Sequence, residues 1–355
     1  MFLWTNIFLL QALSLNRQNT NVKISVCVPV YATENVLKTC LCSIAGQNFD
    51  SFEIIIVDDC SPGVKDSKIT VESIVKEVQK EFPAVPLKLV KHKKNRSLLE
   101  ARRTGFINSC GDFITFVDSD DELLPNALSF MYENAIKNQA DIVHCNSQII
   151  FKDDEKDFIK QDIVNKVEEV YGGILENSDI MSGFMFKSEK SHNGFVWAKL
   201  YSRDLVNQVF NEIPMMYCTL GEDLCLSFFF NLFAKKYVGL PQTKVYKYNY
   251  VTGISVYRKN LSVKQFEQSC SVSTVFTVLF SYLNDLLQTC QLKDEEQSIL
   301  MYKKALQEKC MEFVKNNIVM LKNSVEKENY EECRNILLDY WGENLINRIE
   351  SDFDK

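Results

Sequence analysis

The first half of the chain alternates short apolar runs rich in valine and isoleucine with longer stretches where apolar residues recur every three or four positions. The runs that resemble buried strands are Ile24–Val28, Glu53–Val57, Leu87–Val90, Phe113–Val117 and Asp141–Cys145. The stretches with helical periodicity are Glu34–Ala45, Lys65–Glu81, Ser97–Ser109 and Asn126–Lys137. This alternation predicts an α/β fold, with a Rossmann-like, mostly parallel sheet flanked by helices.

The pattern changes twice towards the C-terminus. Residues 151–196 are polar and weakly periodic, whereas three long helical stretches follow Asn260: Leu261–Gln288, Asp294–Asn323 and Lys327–Ile349. We therefore expect an apolar leader over 1–22, an α/β domain over 23–258 that divides into 23–150 and 151–258, and a C-terminal all-helical subdomain over 259–355. The apolar part of the leader, Met1–Leu15, is shorter than the ~20 residues of a membrane span, and no other stretch is expected to cross a bilayer.

Charge and cysteine content exclude several classes of protein. A net charge of −7 provides no basic surface for nucleic acid, so we expect no nucleic-acid partner. The 12 cysteines are scattered and form no CxxC pair, which indicates buried thiols in a reducing compartment and predicts a cytoplasmic protein. The three histidines do not cluster in the sequence, so a histidine metal centre is unsupported.

The most informative segment is Asp118-Ser119-Asp120-Asp121, where a predicted strand runs directly into three carboxylates. Like charges this close repel one another unless a cation joins them. A hard divalent ion, Mn²⁺ or Mg²⁺, would bind Asp118 and Asp120 and complete its shell with diphosphate oxygens and water. The alternative is a turn whose acids, Asp121 or Glu122, favour the start of the next helix.

Four ordered blocks give this segment a context. They are Val28-Pro29-Val30-Tyr31, Ile56-Val57-Asp58-Asp59-Cys60-Ser61, Asn95 with Ala101-Arg102-Arg103-Thr104-Gly105, and Gly111-Asp112-Phe113-Ile114 leading into Asp118-Ser119-Asp120-Asp121. From Lys23 to Asp121 the chain thereby resembles the inverting family 2 glycosyltransferases, which have a GT-A fold. Looser similarity continues to about Arg258 through Trp197–Tyr201, Gly221–Leu224 and Tyr246–Tyr248.

The resemblance implies a nucleoside diphosphate sugar as donor, with UDP-sugar expected and GDP- or dTDP-sugars left open. Residues 23–150 would bind the nucleotide and 151–258 the acceptor. Asp58 would accept a hydrogen bond from the base, while Asp59 is also a candidate for capping the following turn. The residues expected to bind the nucleotide sugar are Pro29, Val30, Tyr31, Glu34, Asp58, Asp59, Asn95, Arg102, Asp118 and Ser119. For Arg102 the alternative is a surface arginine paired with an acid.

The family also supplies a general base from an acidic pair, which corresponds here to Glu222-Asp223, with Asp223 the candidate base. The alternative is that both acids favour the dipole of the helix they begin. Trp197 is equally consistent with stacking on a sugar ring and with core packing. Arg258 would close over the diphosphate from a loop.

Two positions depart from the family pattern, since Cys60 and Ser97 stand where the family has glycine. Both changes are absorbed only if the local backbone avoids positive φ. The competing functions are a catalytically inactive GT-A-like scaffold or binding module, and a metal-dependent phosphohydrolase built on Asp118-x-Asp120.

The expected partners are the sugar donor and a glycan, lipid-linked or protein acceptor. Peripheral association with the cytoplasmic face of a membrane, and a homo-oligomer formed through the C-terminal helices, are further expectations. The sugar, the acceptor and the linkage are left open by the sequence.

Overall fold

A computed structural model of the protein describes residues 22–65, 67–152, 155–250 and 261–353. Almost all of the expected leader, and Arg258 with its loop, lie outside these residues. The described chain divides into two units. The first contains the residues up to Pro214 together with those from Leu226 to Tyr250, and the second contains Met215–Cys225 together with the residues from Leu261 onwards.

The first unit begins with a parallel four-stranded arrangement. Strand β1 (Ile24–Val30) pairs in parallel with β2 (Phe52–Asp58) and β4 (Phe113–Phe116), and β2 pairs in parallel with β3 (Leu87–Lys91). Every residue of β1 is buried, as expected for a strand covered on both faces. The connecting helices are α1 (Glu34–Ala45), α2 (Val71–Glu81) and α3 (Leu98–Ile107).

Helix α2 begins six residues later than the sequence predicts. Thr70 and Ser73 form a reciprocal capping box, in which each side chain bonds the backbone N–H of the other. This motif satisfies N–H groups that the first turn of a helix leaves without intrahelical partners. The cap therefore fixes the start of the helix at Val71, rather than at Lys65.

The sheet continues as a mixed sheet beyond β4. Antiparallel β8 (Lys199–Ser202) lies between β4 and β6 (Ile142–Ile150), and β6 pairs in parallel with the long strand β9 (Lys236–Asn249). Strand β9 also pairs antiparallel with β5 (Glu122–Leu123) and β7 (Gly173–Glu176). The remaining helices of this part are α4 (Ala127–Asn138), α5 (Asp157–Val167), α6 (Ser178–Met185), α7 (Arg203–Glu212) and α8 (Glu222–Phe233). The α/β fold with flanking helices is confirmed.

Trp197 belongs to the core of the first unit. Its side chain is 3% exposed and stacks on Tyr246 and Tyr248, with both pairs of ring centroids 5.0 Å apart. Phe195 stacks on it as well. The core-packing alternative is therefore right, and the sugar-stacking alternative is wrong.

The second unit confirms the helical C-terminal region. Its helices are α9 (Val263–Cys270), α10 (Val272–Thr289), α11 (Lys293–Ser324), α12 (Tyr330–Trp341) and α13 (Glu343–Phe353), with a short 3₁₀ turn at Lys327–Asn329. Phe266, Ile318 and Leu337 lie in its buried core. The predicted third helix is divided at Gly342, whose φ of 82° ends α12.

One described segment of this unit, Val263–Thr289, is long and apolar enough to cross a membrane, with a mean hydropathy of 1.3. The expectation that no other stretch could cross a bilayer was therefore wrong as far as length and composition decide it. Val275, Phe276 and Leu279 of the segment are nevertheless fully or almost fully buried within the protein. A soluble core helix has the same composition, so the segment alone does not indicate a membrane span.

Candidate active site

The loops after β1 and β2 are bound to each other. Val30 accepts a hydrogen bond from the Asp59 N–H at 2.8 Å, and Glu34 Oε1 accepts one from the Gly63 N–H at 2.7 Å. Glu34 is buried at the first turn of α1, so its carboxylate holds the loop after β2. Pro29 and Val30 are buried within β1, whereas Tyr31 beyond the strand end is 43% exposed. Of the residues expected from the first block, Tyr31 is thus the one whose ring is open to a ligand.

The two acids that end β2 have different environments. Asp58 is partly exposed, and its Oδ1 accepts the Ser61 N–H at 2.8 Å, so Asp58 rather than Asp59 caps the turn. Its second oxygen accepts no hydrogen bond from the described residues. Asp59 is 2% exposed and accepts hydrogen bonds from the Arg96 and Ser97 N–H groups and from His92 Nδ1 at 2.6 Å. Asp58 therefore retains an oxygen for a ligand, while Asp59 joins the loops after β2 and β3.

Both positions where the family has glycine keep a glycine-like backbone. Cys60 has a φ of 65°, and Ser97 has a φ of 85° with a ψ of 162°. The condition under which these substitutions would cost nothing is therefore not met. The conformation of Ser97 directs its N–H towards Asp59, and Asn95 beside it donates to the Asp59 carbonyl at 3.4 Å. The loops after β2 and β3 therefore keep these backbone conformations at the cost of strain.

We call residues 118–121 the carboxylate loop. Arg102 of α3 donates from Nη2 to Asp118 Oδ1 at 2.9 Å, and its side chain is 0% exposed. The surface-arginine alternative is thus wrong, because the guanidinium is buried beneath the loop. Asp118 is itself 26% exposed, and its second oxygen accepts no hydrogen bond from the described chain. Ser119 is buried, with its hydroxyl 2.7 Å from that of Thr33 at the start of α1.

The third acid of the loop has a structural environment. Asp121 is 2% exposed and accepts hydrogen bonds from the Tyr246 hydroxyl at 2.8 Å and the Asn249 N–H at 2.7 Å. Burial, together with the charges of Asp118 and Asp120, raises the pKa of the Asp121 carboxyl well above its usual value. Glu122 pairs with Lys247 at 2.6 Å, and α4 begins only at Ala127. The alternative in which Asp121 or Glu122 favours the helix start is wrong.

The donor set of the carboxylate loop fits a shared divalent cation. Asp118 and Asp120 are partly exposed, and both offer hard carboxylate oxygens. Among the described residues, no group of three or more His, Cys, Asp or Glu side chains could hold a metal ion. Two carboxylates alone leave most of the coordination shell to a ligand, which suits a cation that binds together with a diphosphate. A cleft of about 280 Å³ opens beside Asp120, lined also by Val36 and Thr39 of α1 and by Asn249.

The expected catalytic pair lies at the start of α8. Glu222 is 9% exposed and Asp223 is partly exposed. Both belong to the second unit, whereas α8 returns to the first unit from Leu226 onwards. Gly221 precedes them with a φ of 83°, and a Cβ there would approach Val272 to 2.6 Å. Glycine is therefore required at the turn that carries the acidic pair.

Sequence reasoning missed four side chains that build this site: His92, Thr104, Tyr246 and Asn249. His92 bridges Asp59 and the Thr104 hydroxyl, with a distance of 2.9 Å to the latter. Tyr246 and Asn249 contact the carboxylate loop from β9, more than 120 residues away in the chain. Histidine directly after the β3 run was a local signal for the first contact. The sequence spacing gave no signal for the contacts of Tyr246 and Asn249 with the carboxylate loop.

The family model for glycosyl transferase family 2 matches residues 25–210, which is more than half of the chain. The match includes the loops that follow β1, β2, β3 and β4. The chain belongs to this family. A phosphohydrolase built on the same two acids is not supported by this membership. The resemblance to family 2 glycosyltransferases that the four sequence blocks indicated is confirmed.

Three curated relatives of the chain come from bacteria. Glycosyltransferase GlyA of Streptococcus pneumoniae is 31% identical over 57% of this chain and 27% of its own length. YibD of Escherichia coli, an uncharacterized glycosyltransferase, is 28% identical over 65% of this chain and 63% of its own length. A β-1,3-glucosyltransferase of Campylobacter jejuni, named for a diphosphoundecaprenol-linked glycan, is 32% identical over 34% of this chain and 37% of its own length. The chain thus spans less than two thirds of these relatives.

Solved structures share the fold at low sequence identity. S. aureus TarS 1–349 in complex with UDP-GlcNAc is 19% identical, with a TM-score of 0.62 over 90% of this chain and 80% of that one. The mannosyltransferase PcManGT from Pyrobaculum calidifontis, in complex with GDP-Man and Mn²⁺, is 13% identical, with a TM-score of 0.53 over 89% of this chain and 81% of that one. At these identities the similarity shows the fold alone.

Proposed function

We propose that the protein is an inverting glycosyltransferase that moves a sugar from a nucleoside diphosphate sugar, a UDP-sugar, to an acceptor hydroxyl. The observation that carries the proposal is the pair of partly exposed acids at the ends of β2 and β4, the two strands that flank β1. Asp58 ends β2 and Asp118 follows β4, and each retains a carboxylate oxygen that accepts no hydrogen bond from the described residues. Ligands of open α/β sheets bind at this edge of the sheet.

In this proposal the nucleotide lies across the ends of β1 and β2. Tyr31 contacts the base with its exposed ring, and Asp58 accepts a hydrogen bond from a base N–H. Asp59, Asn95 and Glu34 act beneath it by holding the loops that form the floor. Their hydrogen bonds to Ser97, to Asp59 and to Gly63 support this positioning role.

Asp118 and Asp120 would hold Mn²⁺ or Mg²⁺ together with the donor diphosphate. Such a cation neutralises the charge that develops on the departing nucleoside diphosphate. The buried guanidinium of Arg102 fixes the orientation of Asp118, and Ser119 anchors the loop to α1 through Thr33. The protein thereby holds the Asp118 carboxylate and its loop in place before the ligand binds, which limits the reorganisation on binding.

Asp223 is proposed as the general base that takes the proton of the acceptor hydroxyl. Direct attack by that hydroxyl inverts the anomeric carbon, and a positioned carboxylate typically accelerates such a step by ~10²- to 10⁴-fold. The acceptor is proposed to be a lipid-linked glycan, because a relative from Campylobacter is named for such a substrate. Transfer to a water-soluble glycan but not to its polyprenyl-diphosphate form would contradict that choice.

The experiment that tests the donor site is a calorimetric and thermal-shift screen of UDP, GDP and dTDP, with and without Mn²⁺. UDP should stabilise the protein in a Mn²⁺-dependent way, by about 2.7 kcal/mol at a hundredfold excess over Kd. The Asp120→Ala variant should lose this dependence. Asp112→Ala is the matched control, since Asp112 is exposed and precedes the opposite end of the same strand, β4.

Each result has a distinct meaning. Mn²⁺-dependent binding that is lost in Asp120→Ala and kept in Asp112→Ala supports the donor site. A preference for GDP or dTDP corrects the donor class and leaves the reaction type standing. No binding of any nucleotide would overturn the proposal and favour the inactive scaffold.

A further inference from the structure

Strand β9 holds the carboxylate loop from one side. The Tyr246 hydroxyl accepts the Asp118 N–H at 3.1 Å and donates to Asp121 Oδ2 at 2.8 Å. Asn249 donates from its side chain to the Asp120 carbonyl at 2.6 Å and from its backbone to Asp121 Oδ1 at 2.7 Å. Two residues of β9 therefore fix the backbone at Asp118 and Asp120, the two acids proposed to hold the cation.

The Tyr246 hydroxyl occupies a special place among these contacts. It is fully buried, and it uses both its donor and its acceptor capacity on one loop. The ring is held by Trp197, which lies parallel to it within 13°. Trp197 is the first residue of the block Trp197–Tyr201, which has no other role in the proposed donor site. The stack is rigid, so the hydroxyl is presented in one position.

The opposite side of the loop is held less firmly. Cys40 of α1 contacts the Asp118 carbonyl at 3.6 Å through its thiol, a weak donor. Ser119 bonds Thr33 at 2.7 Å, but through a side chain that is not one of the two proposed cation ligands. Arg102 orients the Asp118 side chain, whereas among the described residues outside the loop the hydrogen bonds to the loop backbone come mainly from β9.

We propose that Tyr246 is a positioning residue for cation-assisted donor binding: its hydroxyl, supported by Trp197 and Asp121, sets the spacing of Asp118 and Asp120. This inference rests on the proposed function. It assigns no contact with substrate to Tyr246, which acts through the backbone of the loop. It also assigns one role, the positioning of the carboxylate loop, to the two sequence blocks that contain Trp197 and Tyr246.

The test is UDP affinity measured by calorimetry in Mn²⁺ and again in EDTA. Tyr246→Phe removes the hydroxyl and keeps the ring against Trp197. In Mn²⁺ it should weaken UDP binding by roughly 10-fold, the effect of one buried hydrogen bond with an unsatisfied partner. In EDTA it should leave UDP affinity unchanged, because the base contacts do not involve this loop. A merely structural role would lower both affinities together.

Tyr248→Phe is the matched control. Tyr248 lies two residues further along β9 and stacks on Trp197 at the same 5.0 Å, but its hydroxyl makes no hydrogen bond with the described residues. It should bind UDP in Mn²⁺ as wild type does. If Tyr246→Phe does not fold, Asp121→Asn carries the same test, since it disturbs the acceptor of the same hydroxyl.

Wild-type Mn²⁺-dependent affinity in Tyr246→Phe, or equal losses in Mn²⁺ and EDTA, would overturn the inference while Asp120→Ala still abolishes the dependence. If Asp120→Ala itself binds UDP normally, the proposed donor site fails and this inference fails with it. The two failures are therefore distinguishable.

Discussion

The loop after β2 and the carboxylate loop after β4 divide their acids in the same way. In each, one acid is buried and bonded by the protein: Asp59 accepts three hydrogen bonds and Asp121 accepts two. In each, another acid is partly exposed and has one oxygen that accepts no hydrogen bond from the described residues, namely Asp58 and Asp118. The comparison teaches that the acids of one strand-end loop are not equivalent, since one builds the loop and another is available to a ligand.

The two loops differ in how they are held. The loop after β2 has a positive φ at Cys60, and it is bonded to the loop after β3, which has a positive φ at Ser97. The carboxylate loop has no positive φ among its four residues, all of which are described, and is held by β9 from far along the chain. The first loop therefore stores backbone strain, whereas the second depends on tertiary contacts.

The largest effect, on kcat, is expected when the comparison is extended to a third pair of acids, Glu222 and Asp223. Glu222 is 9% exposed and Asp223 is more exposed, so the same rule makes Asp223 the chemical group and Glu222 the structural one. Asp223→Asn should lower kcat by ~10²- to 10⁴-fold with little change in Tm. Glu222→Gln should lower Tm and affect kcat less. Both are measured by sugar transfer and thermal unfolding.

Donor affinity is the control for this pair, because neither variant should weaken UDP binding in Mn²⁺. If Glu222→Gln abolishes transfer while Asp223→Asn retains it, the rule fails for this pair and the base is assigned to the buried acid.

A second, smaller effect separates Asp59 from Asp58. Asp59→Ala leaves His92 and two backbone N–H groups without their buried partner, and should lower the free energy of unfolding by about 2–4 kcal/mol. Asp58→Ala removes one turn contact and should cost about 1 kcal/mol, but it should weaken UDP binding by roughly 10-fold. Urea unfolding and calorimetry measure the two quantities. Equal losses of stability would show that the two acids are not divided as proposed.

Much of the fold was predictable, because buried strands and amphipathic helices each have a characteristic pattern of apolar residues in the sequence. Helix α1 begins and ends at the predicted residues, and the parallel strands lie within a few residues of their predicted positions. The addition of antiparallel β8 and of β9 was not predicted, since no local period encodes which strands pair. The candidate site followed from ordered motifs, but burial decides which of two adjacent acids is free, and Tyr246 reaches its loop only through the tertiary fold.

The smallest predicted effect measures the strain in the loop after β3, which Asp59 joins to the loop after β2. Ser97 has a φ of 85° and a ψ of 162°, a region that costs a residue with a Cβ about 1–3 kcal/mol. Glycine avoids this cost but loses about 0.5–1 kcal/mol through its more flexible unfolded chain. Ser97→Gly should therefore be more stable than Ser97→Ala by about 1–2 kcal/mol in urea unfolding. Alanine is the matched reference because both variants lack the hydroxyl, so their difference reports the backbone alone. If alanine proves as stable as glycine, the loop is not strained at Ser97, and the contrast with the carboxylate loop loses its basis.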